Sequence, residues 1–204
     1  EGEKGPDTLN GGEGSDTVSF EHAATGVTVD LQNTANNGGD DAKDDVYIGI
    51  ENILGSAYAD DLRGDEKDNN LQGGLGDDTL EGGLGKDFLD GGSSSSDLNN
   101  TVSYLHAQQN KVVNPTAPGI SGVTVNLLDA TQNKGDYALG DTFHNIKNVL
   151  GSAFDDDITG DNQNNVLSGD QGNDTLTGGA GADTLQGGQG IDTASYANLN
   201  PGAG

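Results

Sequence analysis

The nonapeptide G-G-x-G-x-D-x-U-x, with U a large apolar residue, recurs along this chain and constrains its fold more than any other feature. Residues 73–81 are followed at once by 82–90, and 169–177, 178–186 and 187–195 repeat the pattern in the second half. Glycine at positions one, two and four allows positive φ and close backbone approach, so the chain can turn tightly with its carbonyls directed inward. The apolar residue at position eight then lies on a short strand with its side chain inside. Nine residues make one turn and one strand, so two nonapeptides complete a coil, and repeats n and n+2 stack about 4.8 Å apart. Leu62, Leu71, Leu80 and Leu89 form one expected internal ladder; Ile158, Leu167, Leu176 and Leu185 form the other. A flexible Gly/Asp-rich linker would not keep an apolar residue at a fixed ninth position.

A longer period relates two modules. Leu54-Gly55-Ser56-Ala57 recurs 96 residues on as Leu150-Gly151-Ser152-Ala153, and the same shift carries Val27-Thr28-Val29 onto Val123-Thr124-Val125. Upstream the shift is 84, from Thr17-Val18-Ser19-Phe20 to Thr101-Val102-Ser103-Tyr104. The difference is an insertion around Gln108 to Gly119, which holds Pro115 and Pro118 and reads as a surface loop. The expected organisation is module one at 1–99, module two at 100–191, and the start of a third copy at 192–204, so the chain reads as an excerpt from a longer array. Each module joins a nonapeptide run to a spacer. The alternation Val27/Val29/Leu31 and Val123/Val125/Leu127 reads as strand, and a second apolar run follows at 46–54 and 143–150. No amphipathic helix of useful length is visible.

Composition sharpens the problem that such a fold must solve. There are 35 glycines, only 30 % hydrophobic residues, and a formal net charge of −26. So little apolar surface and so much charge predict disorder unless a partner neutralises the acids and replaces the missing core. The acidity argues against nucleic acid, which needs clustered Lys and Arg, and against anionic membrane surfaces. No apolar run approaches the roughly 18 residues that span a bilayer. There is no cysteine, so disulfides and thiolate metal sites are excluded.

The repeat itself suggests the partner. Asp at position six sets a carboxylate beside inward carbonyls, and an all-oxygen cage suits a hard cation with six to eight ligands, Ca²⁺ rather than Zn²⁺ or Mg²⁺. The expected side-chain ligands are Asp7, Asp16, Asp60, Asn69, Asp78, Asp87, Asp156, Asn165, Asp174, Asp183 and Asp192. The first and third residues of the turns complete the expected set: Gly73, Leu75, Gly82, Leu84, Gly169, Gln171, Gly178, Ala180, Gly187 and Gln189. Ions are expected between stacked turns, with Asp60 facing Asp78, Asn69 facing Asp87, Asp183 facing Asn165, and Asp174 facing both Asp156 and Asp192. Asn69, Asn100 and Asn165 lower the ligand charge, giving weaker or empty sites, or else the side chains of Asn69 and Asn165 form a hydrogen-bonded ladder. The break at 91–96 puts the site after Asp78 in question. The acidic cluster Asp40, Asp41, Asp44 and Asp45, of which module two keeps Asp136 and Asp141, reads equally as extra calcium ligands or as a solvated loop.

These nonapeptides closely resemble the RTX, or hemolysin-type calcium-binding, repeat family. The resemblance implies an all-β, right-handed parallel β-roll with Ca²⁺ between turns, and export through a type I secretion channel as an unfolded chain that folds in extracellular calcium. The spacer pattern is similar to that of large repetitive secreted or surface proteins. The leading expectation is a calcium-binding structural module of an extracellular or cell-surface bacterial protein, rigidified by Ca²⁺ and packed against neighbouring modules. The alternative is a calcium-dependent carbohydrate-binding or adhesion module of a surface protein or polysaccharide-modifying enzyme. Its candidate residues are the paired aromatics Tyr47/Phe143 and Tyr58/Phe154, which also read as caps on the apolar core. Catalysis is not expected: the acids sit at calcium positions, His22 and His106 read as turn residues, and no G-x-S-x-G, H-E-x-x-H or phosphate loop occurs.

Overall fold

The computed structural model describes residues 1–92, 99–107 and 122–196. The insertion at 108–119, Ser93 to Ser96 of the break, and the third copy beyond Tyr196 lie outside these residues. The chain divides into two compact units, Glu1–Thr101 with Asp141–Ile146, and Val102–Gly140 with Lys147–Gly204.

Both units are built from very short parallel strands, most of three residues. In the first unit, Thr17–Ser19, Asn52–Leu54, Asn70–Gln72, Phe88–Asp90 and Thr142–His144 form one parallel sheet in that order. Thr28–Asp30, Asp61–Arg63 and Thr79–Glu81 are consecutive neighbours in another, and Thr8–Asn10 pairs with Val46–Ile48. Successive nonapeptide strands alternate between the two larger sheets, so register partners such as Leu62 and Leu80, or Leu71 and Leu89, lie 18 residues apart. The second unit repeats the plan. Thr124–Asn126, Asp157–Thr159, Thr175–Thr177 and Thr193–Ala194 form one sheet; Asn148–Leu150, Val166–Gln171 and Thr184–Gln189 run together in the other. This is the parallel β-roll that the repeat implies.

A three-residue strand exposes its first and third side chains on one face and its middle one on the other. The middle residues make the core. Val29, Leu62, Leu71, Leu80 and Leu89 in the first unit, and Val125, Ile158 and Leu167 in the second, are fully inaccessible. Leu176 is buried, whereas Leu185 is only half-buried. One apolar side chain per nine residues gives a core one side chain wide, which explains how so hydrophilic a chain has an inside at all.

The spacers reach the same lattice by another route. The apolar runs at 46–54 and 143–150 each split into two strands, Val46–Ile48 and Asn52–Leu54, Thr142–His144 and Asn148–Leu150. The break falls at Gly49 (φ +60°) and its counterpart Asn145 (φ +54°), a left-handed bend that Gly and Asn tolerate best. The Val27/Val29/Leu31 alternation is strand only across Thr28–Asp30, after which the chain turns through the short helical turn Thr34–Asn36. It then returns to bridge Thr28 at Gly38, as the second spacer bridges Thr124 at Lys134. Asn37 and Asn133 lock these returns by accepting from the amides of Asp30 and Asn126 at 2.8 Å.

Candidate metal centre

Each nonapeptide strand is entered through a tight turn whose sixth residue points back into the turn. The stacking expected from the sequence is present in every case. The Asp60 amide donates to Asp78 Oδ1 at 2.9 Å, and Asn69 to Asp87 Oδ1 at 2.8 Å. In the second unit, Asp156 donates to Asp174 Oδ1 at 2.9 Å, Asn165 to Asp183 Oδ1 at 3.0 Å, and Asp174 to Asp192 Oδ1 at 3.1 Å. One carboxylate oxygen is therefore used to hold the preceding coil.

The fate of the other oxygen sorts the turns into three kinds. In the first, it is left bare. The Oδ2 atoms of Asp7, Asp16, Asp78, Asp87 and Asp174 are buried and accept no hydrogen bond. A desolvated carboxylate oxygen without a donor costs several kcal/mol, so five at one repeat position call for a missing positive partner. At Asp174 a main-chain oxygen joins the bare one. A Cβ added to Gly169 would collide with Asp174 Oδ2 and come within 2.7 Å of the Gly187 carbonyl. The carbonyls of Gly73, Gly82 and Gly178 lie instead against Gly55, Gly64 and Gly160, beside Asp60, Asn69 and Asn165. The third-position residues tie the stacked turns together: the amides of Leu75, Leu84, Gln171 and Ala180 donate to the Ser56, Asp65, Ser152 and Asp161 carbonyls, and the Gln189 carbonyl accepts from Gly172. Among the described residues no three His, Cys, Asp or Glu side chains gather around one point. Such a donor set, stacked carboxylates with carbonyls, fits a hard oxygen-seeking ion and offers nothing to a soft one.

In the second kind, the turn satisfies its own acid. Asp60 accepts from the Ser56 amide at 2.6 Å, the Ser56 hydroxyl at 2.8 Å and the Val27 amide at 2.7 Å. Asp156 repeats this with Ser152 and Val123. The Leu-Gly-Ser-Ala motif is thus a serine–aspartate staple. The third kind uses asparagine. Asn69 Oδ1 accepts from the Asp65 amide while Nδ2 donates to the Glu51 carbonyl at 2.9 Å; Asn165 does the same with Asp161 and, at 2.7 Å, Lys147. Asn100 receives the Asp78 amide at 2.9 Å and gives Nδ2 to the Gly91 carbonyl at 2.9 Å. The amide hydrogens stand where an acid would leave a bare oxygen.

Burial raises acids in both the bare and the serine-stapled turns, Asp60 among them. Burial pushes the carboxyl of Asp78 up to about 7. Burial and then the neighbouring Asp141 charge push that of Asp87 up to about 8. Asp174 is raised for the same first reason, and Asp156, despite its serine, reaches about 6. One place shows what a cation does for such a stack. Arg63, the chain's sole arginine, lies in register between Asp30 and Glu81 of the adjoining strands, 3.4 Å from one and 3.6 Å from the other.

One feature of the turns is not legible in the sequence, and another is legible only as an acidic cluster. Position five carries an outer ladder running the opposite way: Asp77, Asp155, Asn164 and Asp68 accept the amides of Asn99, Asn173, Ala182 and Lys86 in the next coil. The cluster at 40–45 divides, with Asp40 and Asp44 exposed but Asp45 buried, as is Asp141. Both precede a strand in the pattern Asp-x-apolar, Asp45-Val46-Tyr47 and Asp141-Thr142-Phe143, which is the tail of the nonapeptide and could have revealed them. Of the paired aromatics, Tyr47 is buried edge-on against Phe20 and Tyr58 is half exposed. His22 is exposed and meets Glu1 at 2.7 Å.

Stacked parallel coils with repeated bare carboxylates define a calcium-binding repeat module. The RTX calcium-binding nonapeptide repeat model matches the chain in four copies, at 1–21, 63–95, 150–185 and 159–194, together just under half of its length. The chain carries RTX repeats, and these bind several Ca²⁺ ions. No curated protein matches the chain. Among the described residues, no helix is long and apolar enough to cross a membrane.

Proposed function

We propose that this chain is a structural module of a secreted bacterial protein, one that folds and stiffens when it meets extracellular calcium, and that it has no catalytic role. The observation that carries this reading is the set of five buried, unpartnered Oδ2 atoms at one repeat position. Bound Ca²⁺ supplies positive charge and a bridge between coils, so that binding energy is folding energy. The chain's own residues do the rest. Asp7, Asp16, Asp78, Asp87 and Asp174 offer the bare oxygens; Asp183 and Asp192 occupy the same place in more exposed turns. The Gly187 carbonyl joins Asp174 Oδ2, whereas those of Gly73, Gly82, Gly169 and Gly178 lie beside Asp60, Asn69, Asp156 and Asn165. Asp60 and Asp156 are better read as staples, and Asn69 and Asn165 as self-closing turns, because their polar atoms are already engaged.

At a net charge of −26 the calcium-free chain repels itself and expands, as suits passage through a secretion channel. The test is far-UV circular dichroism with small-angle scattering, in chelator and in millimolar calcium. Disorder that converts cooperatively to compact β-structure is expected; spectra and radius unchanged by chelator would reject the reading. The exposed ring of Tyr58 supports a second reading, calcium-dependent glycan contact. Glycan binding that survives Tyr58→Ala would remove it.

A further inference from the structure

We propose that Asp45 and Asp141, which lie in the spacers outside the nonapeptide runs, each complete an additional Ca²⁺ site by stacking on Asp7 and Asp87. The inference rests on reading the nonapeptide turns as cation sites, and adds ligands that no nonapeptide supplies.

The geometry at Asp141 is that of a nonapeptide acid. Its Oδ1 accepts the Asp87 amide at 3.0 Å, as Asp78 Oδ1 accepts the Asp60 amide at 2.9 Å. The following strand continues the stack in register, Thr142 on Phe88 and Phe143 on Leu89. Asp87 is 1 % exposed with Oδ2 unpartnered, and Asp141 is 0 % exposed. The charges acting most on Asp87 come from Asp141, Asp68 and Asp65, all negative. Asp87 Oδ2, buried against a second carboxylate and without a donor, calls for a cation or a proton beside it.

Asp45 repeats the arrangement 96 residues earlier. Its Oδ1 accepts the Asp7 amide at 2.8 Å, and Val46–Ile48 lies in register on Thr8–Asn10. Asp45 is 1 % exposed, and its Oδ2 also accepts from the Tyr47 hydroxyl at 3.4 Å. A Cβ added to Gly2 would stand 3.0 Å from Asp7 Oδ2 and 3.3 Å from Asp45 Oδ2, so both oxygens face one small space that glycine leaves open. The spacer therefore takes over the role of a nonapeptide acid where a run ends.

The test counts ions on the whole chain by calcium calorimetry and equilibrium dialysis. Asp141→Asn keeps an oxygen to receive the Asp87 amide and removes the carboxylate charge. Asp141→Asn and Asp45→Asn are each expected to bind one ion fewer than the parent while reaching the same dichroism in saturating calcium. Asp44→Asn, an exposed neighbour, is expected to bind the full number. Wild-type stoichiometry in both Asp45→Asn and Asp141→Asn would overturn the proposal. Should the variants not fold, anomalous scattering from the calcium-loaded parent decides: signal at Asp87–Asp141 and Asp7–Asp45 supports it, and signal at Asp174 but at neither of these overturns it. A parent chain that binds no calcium would instead defeat the broader reading.

Discussion

In chelator, protons should partly replace calcium. The carboxyl of Asp78 ordinarily titrates at 3.8 and is pushed up to about 7 in the fold, and that of Asp87 to about 8. A raised carboxylate pKa means that the folded state holds a proton that the unfolded chain has released. The resulting penalty on folding is absent below the unfolded value, grows as pH rises, and is complete above the folded value. Lowering pH from 8 to 5.5 relieves about 2 kcal/mol at Asp78 and about 3 kcal/mol at Asp87, at roughly 1.4 kcal/mol per tenfold change in proton activity. Together that is on the order of 5 kcal/mol, comparable with the whole stability of a small domain. Far-UV dichroism of the chelated chain should therefore show more β-structure at pH 5.5 than at pH 8, with sedimentation used to exclude association as the pI near 4.1 is approached. Asp78→Asn with Asp87→Asn should flatten this dependence. A chelated wild-type chain whose spectrum is the same at both pH values would refute the argument that these acids are desolvated in the fold.

Two further outcomes follow from individual turns. Ser56→Ala removes the hydroxyl that donates to Asp60 Oδ1 at 2.8 Å. It should cost about 1–3 kcal/mol in denaturant titrations while leaving the calcium count unchanged, and a lost ion would show Asp60 to be a ligand after all. Asp170 holds φ +77° at a second turn position where other repeats carry glycine. Asp170→Gly should stabilise the calcium-loaded chain by roughly 1 kcal/mol, and a lower melting temperature would contradict the backbone argument.

Much of this was legible because the period does two things at once. A nine-residue repeat with leucine at position eight determines both the strand register and the core ladder, so the spacing alone places Leu62, Leu71, Leu80 and Leu89 inside. The pairing of Asp60 with Asp78 and of Asp174 with Asp192 follows from the same count. What the count hides is chemistry within a turn. Asp60 and Asp78 occupy the same repeat position, yet Ser56 and the Val27 amide satisfy the oxygens of Asp60, while Asp78 Oδ2 has no donor. Asn69 was readable as a weaker ligand, but its donation to the Glu51 carbonyl depends on which way an amide points. Asp45 and Asp141 were masked by spacers that lack the leading glycines, although the Asp-x-apolar tail was present. In each case the strand follows a pattern along the chain, whereas the acid's fate depends on the donors beside it.

The most direct measurement is a crystal structure of the chain grown in calcium, with anomalous scattering used to place each ion. Density is predicted in contact with the Oδ2 atoms of Asp78, Asp87 and Asp174, and none at the turns closed by Asn69 and Asn165. Ions seated at those two asparagines, with the Asp78 and Asp174 oxygens touching only water, would contradict the account.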